Sequence, residues 1–384
     1  MDKKKICVVV NSRANYGRIK SFLEAVNEHP QLELQLIVGA SALLYRFGSV
    51  IDIIRADGFD PVSVVYSVVE GETPSTMAKS TGMGILELAT QFENLKPDIV
   101  LTVADRFETL ATAVAASYMN IPLAHTQGGE LTGSIDESVR HAITKLAHIH
   151  FPATKQAEQI LRKMGENPAN IFVTGCPSID LAAQACTDNC IDLFQKYGGT
   201  GSRLDWNKPF LVVLQHPVTT EYKVAFNQTN QTLEALKHIG MQTAWFWPNV
   251  DAGSDAVSKA LRLFIVSNGE APFHFYRNFS PEDYVRLIDR CACIVGNSSS
   301  GIREGSFLGT PCVNIGSRQN QRERGKNVMD VENEANVIYQ AINYQVKHGK
   351  YIPTNLYGDG NAGKKMAEIL ASHHFDIKKI FYNT

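Results

Sequence analysis

Short apolar runs, each ending on a cluster of polar residues and separated by helix-patterned segments, recur along the whole chain, and this alternation restricts the fold more than any other feature. Residues 5–10 are a strand-length run that ends on Asn11-Ser12-Arg13-Ala14-Asn15-Tyr16-Gly17-Arg18, read as a loop, and a helix patterned by Ile19, Phe22, Leu23 and Val26 follows. Residues 32–38 form a second strand, 78–95 a helix, and 99–103 a strand ending on Ala104-Asp105-Arg106-Phe107-Glu108. A helix over 110–118, a strand over 121–124 and the loop His125-Thr126-Gln127-Gly128-Gly129-Glu130 come next. A helix over 136–146 carries Glu137, Arg140 and His141, and strands at 149–151 and 171–173 close this first series.

Gly175-Cys176-Pro177-Ser178 breaks the alternation, and the polar stretch 187–207, with Gly198-Gly199 and Gly201, reads as a boundary region. A second series then begins. Its strands fall at 210–214, ending on Gln215-His216-Pro217-Val218-Thr219-Thr220, and at 243–246, ending on Pro248-Asn249. Further strands fall at 273–275, 291–295 and 311–315, the last followed by Gly316-Ser317-Arg318-Gln319. A helix runs through Leu233 and Leu236, and a final helical stretch at 364–372 can pack on either half. With 384 residues, two domains are expected. The pattern predicts an α/β chain with two doubly wound, mostly parallel sheets. Ligands of such sheets sit outside the carboxyl ends of the strands, where the polar clusters fall, and two such domains facing each other enclose a cleft.

Composition narrows the partners. The formal net charge is -2, which offers no global attraction to nucleic acid, so any basic site is local. The apolar run 6–10 after Lys3-Lys4-Lys5 is too short to span a membrane and lacks a signal cleavage site; it reads as the first strand of a cytoplasmic protein. The seven cysteines, with Cys186/Cys190 and Cys291/Cys293 lacking zinc spacing, read as reduced thiols, mostly in the core. The chain shows no phosphate loop, nucleophile elbow or His-Glu-x-x-His.

The turn from Gly296 through Asn297, Ser298, Ser299, Ser300 and Gly301 to Glu304 combines hydroxyls with the free amides of a helix start, which suits phosphate. Glu304 suits sugar hydroxyls instead, so a nucleotide with a ribose satisfies both halves; the same residues also serve as plain helix caps. Asp105 and Asp136 are the first candidate acid/base pair, although Asp136 stands where a cap would and Asp105 beside Arg106 can be an internal ion pair. His125, Gln127 and Glu130 flank Gly128-Gly129, where a ligand can approach the backbone or the chain simply turns. His216 can donate to phosphate or take a proton. Arg13, Arg318 and Arg322 can supply guanidinium forks for phosphate oxygens.

Taken in order, Arg13-Ala14-Asn15-Tyr16, Asp105-Arg106-Phe107-Glu108, Gly128-Gly129-Glu130-Leu131-Thr132-Gly133-Ser134-Ile135-Asp136-Glu137, Arg140-His141, Gly175-Cys176-Pro177-Ser178, His216-Pro217-Val218-Thr219-Thr220, Pro248-Asn249, Gly296-Asn297-Ser298-Ser299 and Arg318-Gln319 closely resemble the UDP-N-acetylglucosamine 2-epimerases. The Gly-Gly-Glu to Arg-His segment resembles the hydrolysing branch, which releases UDP and N-acetylmannosamine. The resemblance implies two facing Rossmann-like domains in the GT-B arrangement: 1–178 with a C-terminal helix (about 362–384) packed back on it, and 179–361 binding UDP. It assigns nucleotide contacts to Arg13, Arg106, His216, Asn249, Tyr284, Ser298, Ser299, Glu304 and Arg318, and acid/base chemistry to Asp105, taken as the base, and Asp136. It implies a UDP-sugar substrate, no metal or redox cofactor, no nucleic-acid or membrane partner, and a homodimer or homotetramer.

Three departures stand out: Asn15 for the family's Asp, Ala104 for its Gly, and Gln127 for its Glu. Gln127 cannot act as acid or base, so the role passes to Glu130 or Asp136, or Gln127 only orients sugar or water. The change can also mark a UDP- or GDP-linked diacetylbacillosamine as substrate. A GT-B glycosyltransferase and an inactive sugar-nucleotide sensor are the rival expectations.

Overall fold

A computed structural model describes residues 3–185, 191–374 and 376–383; Cys186 and Cys190 lie outside them. Six strands build the first sheet: β1 (Lys4–Val10), β2 (Leu32–Gly39), β3 (Ser63–Val65), β4 (Ile99–Val103), β5 (Leu123–Thr126) and β6 (Ile149–Phe151). All are parallel, in the order β3-β2-β1-β4-β5-β6. Seven build the second: β7 (Thr200–Gly201), β8 (Phe210–Leu214), β9 (Gln242–Phe246), β10 (Phe273–Tyr276), β11 (Cys293–Gly296), β12 (Cys312–Ile315) and β13 (Val328–Val331). Their order is β13-β12-β11-β8-β9-β10-β7, parallel except for β7 on β10. Without that edge strand, both sheets have the doubly wound Rossmann order.

The central strands β1, β4, β8 and β11 are apolar and buried on both faces, as parallel strands must be when helices cover each side. Ile6, Val8, Leu101 and Ala124 pack on one face of the first sheet with Phe22, Leu23 and the C-terminal helix Ala362–Ser372, through Met366, Ala367 and Leu370. Cys7, Val9 and Val100 pack on the other with Leu88, Phe92 and Ala115. Beyond the helix, the chain runs along the first domain: Lys379 donates to the carbonyls of Thr144 (2.8 Å) and Ala147 (2.5 Å), and the Tyr382 amide to that of Gly165 (2.9 Å). No helix among the described residues is long and apolar enough to cross a membrane.

Several elements differ from the sequence reading. Residues 171–173 make one bridge, His150 to Ile171, rather than a strand, because the chain diverges at the sheet edge. Residues 13–17 form a short helix capped by the Ser12 hydroxyl instead of a loop. The helices Ser254–Ser267 and Ala335–His348 were not marked by patterning, nor were the short edge strands β3, β7 and β13. A helix, Pro177–Ala185, runs across the expected boundary at 178/179. Its Asp180 accepts from Ser21 (2.8 Å) and from the amides of Ala362 and Gly363, while Leu181 and Ala182 join the second domain's core.

Candidate active site

In the first sheet the strand order reverses between β1 and β4, and in the second between β8 and β11. Such reversals open a crevice, because the connections on either side leave in opposite directions. The loops after all four strands line one cavity, supplying Arg13 and Arg18, Asp105 and Arg106, His216, and Ser298 to Ser300 respectively. Asp136, Asn249, Tyr284, Glu304, Arg318 and Arg322 add to its polar wall, and Phe246 and Phe279 to its apolar one. Five arginines against three carboxylates make the cavity locally positive in a chain of net charge -2.

On the second domain, the Asn297 side chain stitches β8 to β11: its Oδ1 accepts from the His216 amide and its Nδ2 donates to the His216 carbonyl, both at 2.8 Å. Gly296 has φ +126°, and a Cβ there would lie 2.2 Å from the Leu214 carbonyl oxygen, so only glycine brings the two strand ends this close. Burial holds His216 well below the usual imidazole range, helped by Arg318, Arg13, Arg106 and Arg18, so it is neutral. Its Nδ1 accepts from the Asn249 amide (3.4 Å), which assigns the proton to Nε2.

The serine turn differs from the expected long helix start. It is a short turn, Ser299–Gly301, followed by only six helical residues, Arg303–Leu308, so little dipole is available. Ser298 caps that turn, as the plain reading had it, and Tyr284 Oη lies 2.6 Å from Ser300 Oγ. Anion attraction comes instead from guanidiniums: Arg18 donates to Ser299 Oγ (2.5 Å), and Arg13 crosses the cleft to Asn249 Oδ1 (3.1 Å) and the Arg277 carbonyl (2.6 Å). Glu304 Oε2 and Gln319 Oε1 are buried at the cavity without a hydrogen-bond partner among the described residues.

On the first domain, Ser134 rather than Asp136 caps the helix Ile135–Leu146, accepting from the Asp136 amide (3.3 Å). That leaves the Asp136 carboxylate at the cavity, 3.7 Å from Arg318. Asp105 pairs with the fully buried Arg140, not with Arg106, which pairs with Glu108 (3.1 Å) and Asp251 (3.0 Å). Burial alone would raise Asp105, but Arg140, Arg18 and Arg322 outweigh it and hold the carboxyl below its ordinary range. Asp136 moves the other way: burial and the Asp105 charge raise it, with Arg318 opposing.

Two expected catalytic residues lie elsewhere. Gln127 (φ +60°) is buried away from the cavity wall, its Nε2 3.4 Å from Cys176 Sγ. Glu130 is also off that wall, joined to Arg303 (2.5 Å) and Arg322, which with Arg140 outweigh burial and lower its pKa. A carboxylate clasped by two guanidiniums is a cross-domain tie rather than a proton carrier. Arg18 went unselected in the sequence; its only signal is membership of a polar cluster at a strand end. Of the cysteines, Cys7, Cys176, Cys291, Cys293 and Cys312 are buried and free.

A family model described as UDP-N-acetylglucosamine 2-epimerase matches residues 24–371. The chain is 32% identical over 367 residues, 96% of it and 95% of the relative, to a UDP-N,N'-diacetylbacillosamine 2-epimerase (hydrolyzing) of Legionella pneumophila. It is 29% identical over 370 residues, 96% of it and 95% of the relative, to a UDP-N-acetylglucosamine 2-epimerase of Neisseria meningitidis. The solved UDP-GlcNAc 2-epimerase of Methanocaldococcus jannaschii in complex with UDP-GlcNAc and UDP has the same fold, with a TM-score of 0.79 at 17% identity over 96% of this chain and 100% of that one.

Proposed function

The chain belongs to the UDP-N-acetylglucosamine 2-epimerase family, and on that premise we propose that it hydrolyses UDP-N-acetylglucosamine to UDP and N-acetylmannosamine with inversion at C2. One observation carries the reading: Asp105 and Asp136 face one cavity with their ionisation pushed in opposite directions. A base works best when its pKa lies near the working pH. Asp136, raised, fits that role better than Asp105, which reverses the sequence-based choice of base. Asp105, held ionised, stabilises the positive charge that develops at C1.

In the first half-reaction Asp136 removes the C2 proton while the C1–O bond breaks and its electron pair leaves with UDP, giving a 2-acetamidoglucal. Arg13, Arg18 and Arg318, with Ser298, Ser299 and the Nε2–H of neutral His216, take up the charge on the departing diphosphate. Glu304 receives the ribose hydroxyls. In the second half-reaction water adds across the double bond, hydroxyl to C1 and a proton to C2 from the opposite face. The balance is one water consumed and UDP and the free sugar released, with no redox change.

NMR of products from a panel of UDP- and GDP-linked amino sugars in deuterated water tests this. Free N-acetylmannosamine carrying deuterium at C2 is expected. UDP-N-acetylmannosamine as the sole product would overturn hydrolysis, and sugar transfer without C2 exchange would indicate a glycosyltransferase. A diacetamido sugar is the second reading, favoured by the Legionella relative's name and decided by the same panel.

A further inference from the structure

His125 is fully buried, lies off the cavity wall and takes no part in either half-reaction. It stands on β5, and both ring nitrogens are engaged: Nε2 is 2.7 Å from the Ala104 carbonyl oxygen and Nδ1 is 3.3 Å from Thr144 Oγ1. A carbonyl can only accept, so the proton sits on Nε2, and Nδ1 accepts from the threonine hydroxyl. Burial pushes the imidazole down to about 3, so the ring is neutral and keeps this tautomer near neutral pH. Gly128 makes room for the pair: a Cβ there would lie 3.0 Å from both Nδ1 and Thr144 Oγ1. The bare position that could have admitted a ligand serves the chain's own imidazole.

The partner of Nε2 is the unusual residue. Ala104 follows β4, its amide still held to the sheet by the Thr126 carbonyl (3.3 Å), and it has φ +63°. L-residues seldom hold that left-handed region, and alanine has no polar side chain to bond back to its own backbone. Strain of this kind persists only where the surroundings hold it in place. Asp105 comes next in the chain, so the turn at Ala104 sets the direction in which the carboxylate leaves the sheet. The helix Ile135–Leu146 grips both ends of this arrangement from one face: Arg140 holds Asp105, and Thr144, about one turn on, holds His125. We propose that His125 is a positioning residue: its Nε2–H fastens the left-handed turn at Ala104 that presents the Asp105 carboxylate to Arg140 and to the cavity. The inference rests on the reading of Asp105 as a group that serves the reaction.

His125→Phe keeps the bulk of the ring and deletes its N–H. With UDP-N-acetylglucosamine it is expected to lower kcat about thirtyfold, the scale of a misplaced reacting group. KM should stay within about threefold, and a calorimetric titration with UDP should keep its stoichiometry, so that lost fold is not the cause. His125→Gln retains a donor at similar reach and is expected to keep kcat within about threefold of wild type. Adding Ala104→Gly to His125→Phe removes the Cβ that opposes the turn and should recover about fivefold or more. In an Asp105→Asn background, His125→Phe is expected to cost no more than about twofold further, because it acts through that carboxylate. A His125→Phe variant with wild-type kcat overturns the proposal. So does a loss that His125→Gln shares and Ala104→Gly does not relieve, or one that multiplies with the loss from Asp105→Asn. Full activity of Asp105→Asn would instead sink the catalytic reading beneath it.

Discussion

At the reversal between β1 and β4, a carboxylate locked to a buried guanidinium, Asp105 on Arg140, reaches the cavity beside Arg13, Arg18 and Arg106; at the equivalent reversal between β8 and β11, a neutral imidazole does so beside three serine hydroxyls. Both crevices are stitched by an asparagine. Asn15 Oδ1 accepts from the Asn11 amide (3.2 Å) and its Nδ2 donates to the Val103 carbonyl (3.5 Å), while Asn297 bridges to both backbone groups of His216. One topology thus supports two electrostatic designs. Fixed charge on the first domain is already oriented before any substrate arrives, which is where transition-state stabilisation is strongest. Exchangeable hydrogen bonds on the second suit a group that must bind and then leave.

The largest expected effects lie on the charged side. Asp136→Asn and Asp105→Asn are each expected to lower kcat about a thousandfold, while titration calorimetry finds UDP affinity within about threefold of wild type. Loss of UDP binding in step with kcat would erase the division between the crevices. Next in size is Arg140→Met, which strips the buried Asp105 anion of its hydrogen-bonded partner and is expected to cost about 3–5 kcal/mol in denaturant unfolding. Adding Asp105→Asn to that variant removes the stranded charge and should recover much of the loss; no recovery would mean that Arg140 acts through packing alone.

Much of this arrangement was legible in the sequence, and the parts that were not share a physical cause. Strands buried on both faces announce themselves as continuous apolar runs, so β1, β4, β8 and β11 and the polar clusters at their ends could be read directly. The edge strands β3, β7 and β13 are two to four residues long and carry no such run. Gln127 and Glu130 stand beside Asp136 in the chain, yet which of several adjacent side chains turns toward a cleft depends on the backbone. Gln127 is in the left-handed region and faces Cys176. Glu130 is claimed by Arg303 and Arg322 of the other domain, a contact between residues 173 and 192 positions apart that no local pattern encodes.

The two carboxylates also predict the acid limb of the pH profile. Asp136 works as an anion and its pKa is raised, so activity is lost as pH falls through a value above the ordinary aspartate range of about 4. Asp105 is held below that range and stays ionised throughout. A single limb is therefore expected, with kcat/KM falling about tenfold per pH unit, while UDP binding, which rests on arginines that stay charged and a neutral His216, stays flat over the same interval. A limb of twice that steepness would mean that both carboxylates titrate together and that the two are not held apart.

The smallest effect provides the sharpest contrast. Tyr284→Phe removes one hydroxyl, the partner of Ser300 at 2.6 Å, and keeps the ring that packs edge-on against Phe246 at 5.7 Å. Losing a neutral hydrogen bond of about 1 kcal/mol should raise KM about fivefold. The Tyr284 hydroxyl and Ser300 are not among the groups assigned to the departing diphosphate, so the deleted bond is uniform binding and kcat should be unchanged. A deletion of similar size beside Asp105 would alter kcat instead. If Tyr284→Phe lowers kcat with KM unmoved, the Tyr284–Ser300 pair supports the bond-breaking step as well as binding, and it belongs with the groups on the departing diphosphate rather than with the handle.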